Sequence, residues 1–435
     1  MTHPVYRTVT LVGFAQIISH AGAYYLPAVM AVAASQELSL SSATVFAGLS
    51  LALIVSALAG PTAGQLVDRF GGRPVLIASN LLLATGLSLL ALAQGLSTLL
   101  VAYAVLGLGM ASGMFEVAFA TIVRLFGKHS RNALTGVTMV AGFASVAGWT
   151  LSVYVARYGW RGACWFWAGL NILVALPLNA LLPKLSDQVA ASASDPHAQR
   201  ATAPRSDTTQ SDTTQSDTTP TTVTHTKVAQ TTALQTSNNT PIGAADRPAK
   251  YTAVLLTFVF AASGFISMGL MSHLPHLLED FGVPLAVAFS VGALVGPAQI
   301  SGRILDFTFL RRMHPLVGTR IAALAHPLGI AVLVLLGAPF AALFVVLHGL
   351  GNGILIISRG TLPLVLFGAQ GFGQLQGWLT MPAKLAQALA PYLFGLLLVH
   401  WGANALWFTS GLALCIFVAL CLIRIQPTPS SAQRV

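Results

Sequence analysis

Apolar residues gather into twelve blocks of spanning length, roughly 8–34, 42–66, 74–95, 97–126, 131–156 and 161–183, then 251–278, 284–306, 315–336, 340–367, 374–399 and 403–424. About 20 residues cross a bilayer as a helix, so each block predicts one transmembrane helix. Gly and Pro recur inside the blocks, which spanning helices tolerate when neighbours satisfy the freed backbone groups. Between the sixth and seventh blocks the polymer changes. From Ser186 to about Lys250 it is Ser, Thr, Asp, Gln, Ala and Pro, with the pentad Ser-Asp-Thr-Thr-X at Ser206–Gln210, Ser211–Gln215 and Ser216–Pro220. So few apolar side chains cannot offset ordering entropy, and a disordered linker is expected there, a tether or a regulatory segment. The expected organisation is a six-helix bundle over 1–185, a linker over 186–250, a second six-helix bundle over 251–424 and a tail over 425–435.

The two bundles repeat. Leu134-Thr-Gly136 returns as Leu375-Gln-Gly377 and Trp160 as Trp401, both at a shift of 241 residues. Leu26-Pro27 returns as Leu274-Pro275, Gly107-Leu-Gly109 as Gly349-Leu-Gly351, and Gly64-Gln-Leu-Val-Asp68 as Gly302-Arg-Ile-Leu-Asp306. Short apolar words recur by chance; their shared order along six spans does not.

Composition makes the same case. Of 435 residues, 55% are hydrophobic and only 8% charged, where a soluble domain carries about 25% charged residues. Mean hydropathy is +0.75. The net charge of +10 forms no basic patch or helix and so does not point to nucleic acid. The basic residues fall between blocks, where they orient the chain in a bilayer. With the Met1 end cytoplasmic, Arg69, Arg73, Arg124, Lys128, Arg131, Arg311 and Arg312 lie in inside loops, followed by Arg424 and Arg434; the outside loops hold Arg157 and Arg161 beside Glu279 and Asp280. Both termini are therefore expected inside. The first block is too long for a signal h-region and should persist as a helix. Cys164, Cys415 and Cys421 all lie in apolar blocks, with neither metal-site nor disulfide spacing, and read as small packing residues.

The most polar turn is Gly64-Gln-Leu-Val-Asp68-Arg69-Phe-Gly71-Gly72-Arg73, between the second and third blocks. Gly64 lets a neighbouring helix come close, Gly71 and Gly72 permit a left-handed backbone, and the charges place the turn at a membrane face. Gly-x-x-x-Asp-Arg-x-Gly resembles the signature loop of the major facilitator superfamily, except that Gly72 stands where the family has a basic residue and Arg73 follows one place later. The resemblance covers almost the whole chain apart from linker and tails. It implies an all-α membrane fold of twelve helices in two pseudo-symmetric six-helix bundles, with substrate held near the midplane between them. It also implies a charge cluster latching one conformation, from which Glu116 is expected to pair with Arg73, and Arg359 with Asp306; Arg303 fits either a gating or a substrate role. Tyr103 stands where the family's proton-coupled drug exporters carry an arginine, and the fifth block lacks the antiporter Gly-Pro signature.

Few polar residues fall inside the blocks. Lys384 lies about ten residues into the eleventh block, roughly 15 Å at 1.5 Å per residue, near the midplane of a core about 30 Å thick. It either attracts an anionic substrate, resembling in that one feature the oxalate/formate exchangers, or pairs structurally with an acid such as Glu116. The first reading is preferred because Glu116, about nineteen residues and roughly 28 Å from the outside start of its block, is expected nearer the inside face. His20, Tyr24 and Tyr25, with His273 and His276 on the seventh block, form a second constellation, in which His20 or His273 is a candidate proton carrier and the alternative, preferred for His276 near the outside end, is a hydrogen-bonded packing histidine. Asn352, Trp378 and Gln387 are further candidates for the cavity wall. No catalytic constellation or Walker loop occurs, so neither enzyme activity nor a bound cofactor is expected. A proton or counter-solute gradient supplies the energy. The expected function is rocker-switch transport of a small anion by a monomer of the bacterial inner membrane. Proton-coupled efflux of lipophilic or cationic compounds is the alternative, and a receptor-like scaffold signalling through the linker a third.

Overall fold

The computed structural model of the chain describes residues 3–145, 147–183 and 247–423. Among these there is helix and turn and no strand. The first span, α1, runs as His3–His20, a π-helical turn Ala21–Tyr25 and Leu26–Glu37; α2 is Ser42–Phe70 and α3 Gly72–Ala91. α4 is Leu96–Gly113 followed, after Met114, by Phe115–Phe126. α5 begins as Arg131–Gly142 and passes through Phe143–Ser145; the helix Ala147–Leu170 holds its end and the start of α6, divided at Gly159, where φ is +74°. α6 continues through a second π-helical turn, Asn171–Ala175, into Leu176–Ala180. The second half gives α7 (Arg247–Glu279), α8 (Leu285–Gly292 and Val295–Thr308), α9 (Pro315–Leu336), α10 (Ala341–Phe367), α11 (Phe372–Trp401) and α12 (Ala405–Leu422).

By length and composition, 10 continuous segments among the described residues can cross a membrane. The last, Phe372–Leu422, contains both α11 and α12, separated where Gly402 takes φ +52°. α5, interrupted at residue 146, completes the twelve. α7 begins at Arg247, so residues 247–250 of the expected linker are helical. Residues 184–246, Arg424, Arg434 and the tail lie outside the described residues.

Local chemistry explains the joints. Pro27 and Pro177 lack the N–H that would serve the carbonyl four residues earlier, and in both cases the helix widens into a π turn just before the Leu-Pro pair. Gly71, at φ 87° and ψ 163°, turns the chain from α2 to α3 in one residue. Open helix ends find side-chain partners: Ser41 caps α2, Arg161 donates to the carbonyls of Ala91, the last residue of α3, and of Ala93 just past it, and Arg320 donates to Leu420 and Ile423 at the end of α12. Gly109 and Gly113 of α4 pack closely against Leu83 and Ser79 of α3, and Gly349 and Gly353 of α10 against Ala298 and Gln299 of α8.

The halves come into backbone contact at the end of the bundle that carries Gly71, the turn end. There Gly60 and Gly64 of α2 cross Gly373 and Gly377 of α11 so tightly that a Cβ on Gly64 would overlap the carbonyl of Gly373. Small-xxx-small spacing on both helices is what brings two backbones together inside a membrane.

Candidate functional site

The bundle's centre is built on a break in α4. Met114 leaves the helical conformation (ψ −174°), and Glu116 falls in the first turn of the restarted helix. Counted from the turn end at Phe126, Glu116 lies ten residues in, about 15 Å; Lys384, twelve residues from Phe372, lies about 18 Å in. The two meet: Lys384 Nζ is 3.3 Å from Glu116 Oε2 and donates to Ser56 Oγ of α2 at 3.0 Å. This corrects the expectation of a free ammonium and of a Glu116–Arg73 pair. α4 is longer than the bilayer core is thick, so counting from its far end placed Glu116 too close to the membrane face.

Two guanidinium groups complete the cluster. Arg359 of α10 interacts with Glu116 and with Tyr24, and its Nε has no hydrogen-bond partner. Arg303 of α8 is 3% exposed; its Nη1 donates to the Thr138 carbonyl of α5 at 2.8 Å while its Nε has no partner. Arg303 interacts with Tyr25 and with His20, and His20 in turn with Glu116 and Lys384. The His20 ring packs on Phe115 at 4.3 Å and its Nδ1 lies 3.0 Å from the Gln16 carbonyl. Tyr24 donates across the halves to Met268 Sδ of α7 at 3.2 Å. Lys384 and Arg359 thus flank the Glu116 carboxylate, Arg303 joins the same buried network through His20 and Tyr25, and both tyrosines are carried there by the π turn of α1.

Other expected wall residues stand apart. His273 Nε2 lies 2.8 Å from the Pro391 carbonyl and its ring packs near Phe394, which ties α7 to α11 within the second half. Asn352 donates to Ser267 Oγ at 3.0 Å, and Gln387 lies over Gly264. Trp378 is 55% exposed and shares an apolar stripe of α11 with Leu389, Leu396 and Val399. It faces lipid, a correction to its place on the cavity wall: helical spacing sets it on that stripe, turned away from Lys384.

At the turn end, Asp68 accepts from the backbone N–H groups of Gly373 (3.0 Å) and Gln374 (2.7 Å), capping α11 from the other half. Arg124 donates to the Asp68 carbonyl. Arg69 is exposed against the Phe70 ring, and the Gly72 backbone sits against Thr121. Asp306 interacts with Arg131 rather than with Arg359, because α8 delivers it to the start of α5 while Arg359 stays with Glu116; Arg131 also donates to the Met313 carbonyl at 2.8 Å. Sequence reasoning missed Ser56 and Gly373 as site residues and read Arg124 and Arg131 only as loop charges. The glycine pair Gly373-x-x-x-Gly377, matching Gly60-x-x-x-Gly64, was the available signal.

A duplicated helical membrane bundle with a charged centre, closed at one end by a carboxylate cap between its halves, has the build of a transporter. The chain belongs to the Major Facilitator Superfamily, whose family model matches residues 12–373. It is 31% identical over 137 residues to the multidrug resistance protein MdtH of Yersinia enterocolitica, a stretch covering 31% of this chain and only 34% of that relative. In fold it resembles the human organic anion transporter MFSD10 (TM-score 0.65, 16% identity, covering 96% of this chain and 100% of that one). The proton:xylose symporter XylE is similar too (TM-score 0.68, 11% identity, covering 97% and 96%).

Proposed function

We propose that this transporter carries a small anionic solute, held by Arg359 and Lys384 on one side of His20 and Arg303 on the other, with His20, Tyr24 and Tyr25 as polar partners. With Lys384 engaged by Glu116, the case no longer rests on that ammonium alone. The observation that carries it is the charge surplus: three cations against one carboxylate. An uncompensated buried charge is costly, so such a site is most stable when an anion enters it. Transport proceeds by rocking of the two halves, the Asp68 cap and the Gly64–Gly373 crossing closing the turn end. The excess of Lys and Arg in the loops at that end supports its facing the cytoplasm with both termini inside; the membrane proposed is a bacterial inner membrane and the energy source proposed is a gradient.

A second reading, proton-coupled efflux of lipophilic or cationic compounds with Glu116 carrying the proton, is favoured by the partial similarity to MdtH. A thermal-shift screen of the purified protein against carboxylates, phosphate esters, metalloid oxyanions and cationic dyes separates the two. Stabilisation by anions alone is expected; stabilisation by dyes alone would replace the first reading with the second.

A further inference from the structure

Outside the central cluster, the second half buries two more histidines. His326 of α9 and His348 of α10 are 7% and 4% exposed, with their Nδ1 atoms 2.9 Å apart. His326 Nε2 lies 3.2 Å from Thr409 Oγ1 of α12. The Thr409 hydroxyl donates its proton to the Leu406 carbonyl at 2.9 Å, so towards His326 it accepts, and His326 carries its hydrogen on Nε2. A neutral His326 then presents a bare Nδ1, and His348 must donate from its own Nδ1. His348 Nε2 is left bare. That nitrogen is buried without a partner, and His348 lines a cavity of about 20 Å³ together with Ser263 and Asn352, room for about one water.

We propose that this pair is a one-proton site of the second half, loaded at His348 Nε2 through a water held in the cavity. A proton arriving there makes His348 an imidazolium that still donates from Nδ1 to a neutral His326. A second proton would set N–H against N–H at the 2.9 Å contact, so the pair binds one and no more. The groups packed around it from α7, α9, α10 and α12 include Ser263, Ala322, Phe344, Asn352 and Ile416, all uncharged. Each imidazole is the other's titratable neighbour, and no other charged group acts on either among the described residues. Loading turns Nε2 from acceptor to donor and so reverses the water beside Asn352. Asn352 holds Ser267 of α7, and the next residue, Met268, receives the Tyr24 hydroxyl of α1. The proton is thereby linked to a contact between the halves, whatever the cargo.

The test is solid-state NMR of the full-length protein in lipid, with nitrogen-15 in its histidine rings, the two rings being assigned through His326→Asn and His348→Asn. At high pH the expected state has His348 Nε2 unprotonated and His326 Nε2 protonated; on acidification both rings shift together in one step. The reverse tautomers, two separate steps, or no shift across the pH range in which the protein stays folded would each overturn the proposal. Should a variant fail to fold, the N–H···N coupling between the two rings of the parent identifies the pair and keeps the same outcomes decisive. Proton uptake counted with a pH dye is expected to fall by one per chain in His348→Gln, and an unchanged count would also overturn it.

Discussion

Replacing Asp68 with asparagine removes the charge that holds the two halves together at the turn end while keeping nearly the same shape. The carboxylate accepts two backbone N–H groups, at 3.0 and 2.7 Å, from the first turn of α11. Asparagine keeps one acceptor oxygen. A hydrogen bond to a charged group is worth about 1.5–3 kcal/mol against about 0.5–1.5 for a neutral one, and a negative charge at a helix N-terminus adds about 0.3–1 kcal/mol. The closed arrangement should therefore lose about 2–4 kcal/mol relative to the open one, a shift of roughly 30- to 700-fold at 1.4 kcal/mol per decade. Spin labels at Arg69→Cys and Gln370→Cys, both exposed positions flanking the closure, report it by pulsed electron resonance once Cys164, Cys415 and Cys421 are replaced. The expected result is a new, longer distance population in Asp68→Asn and also in Gly64→Ala, where a methyl group forces α2 from α11. Distance distributions unchanged in both variants would refute the view that this contact holds the turn end shut.

Glu116→Gln strands the Lys384 ammonium and should destabilise the protein by about 3–5 kcal/mol, while Glu116→Gln with Lys384→Gln should cost less than the sum of the singles; melting temperatures in detergent read both, and additive losses would deny the pairing. Trp378→Leu should change stability by no more than about 0.5 kcal/mol in the same assay, as for a residue facing lipid, and a large loss would return the ring to the cavity. His314 caps α9 through Nδ1, and burial, then the nearby Arg131 and Arg320, hold it below its ordinary 6.5. The cap, about 1 kcal/mol, is present above pH 6.5 and lost as pH falls through the lowered value. His314→Asn should flatten that decline in melting temperature between pH 7.5 and 5, and identical profiles would show that the ring does not titrate there.

The spans were legible because long apolar blocks separated by polar turns leave little choice: α9 falls on 315–336 as expected, and α2, α10 and α11 run a few residues past or short of their blocks. The π turns were less so, since a Leu-Pro pair marks a weak point in a helix without saying how it is resolved. Meetings between helices far apart in sequence were the least legible. Glu116 and Lys384 come level only because α4 overhangs and breaks at Met114, and Asp68 finds its partner 305 residues away. Trp378 was misplaced because α11 is apolar on most faces, so lipid side and cavity side carry the same residue types. His326 and His348 passed unnoticed as lone polar residues on separate blocks, 22 residues apart.

The charge surplus at the centre is tested most directly by equilibrium binding of whichever anion stabilises the parent most, repeated on Arg303→Gln and Arg359→Gln. The account expects each variant to bind at least tenfold more weakly while its melting temperature without ligand is retained. Undiminished binding in both folded variants would contradict it.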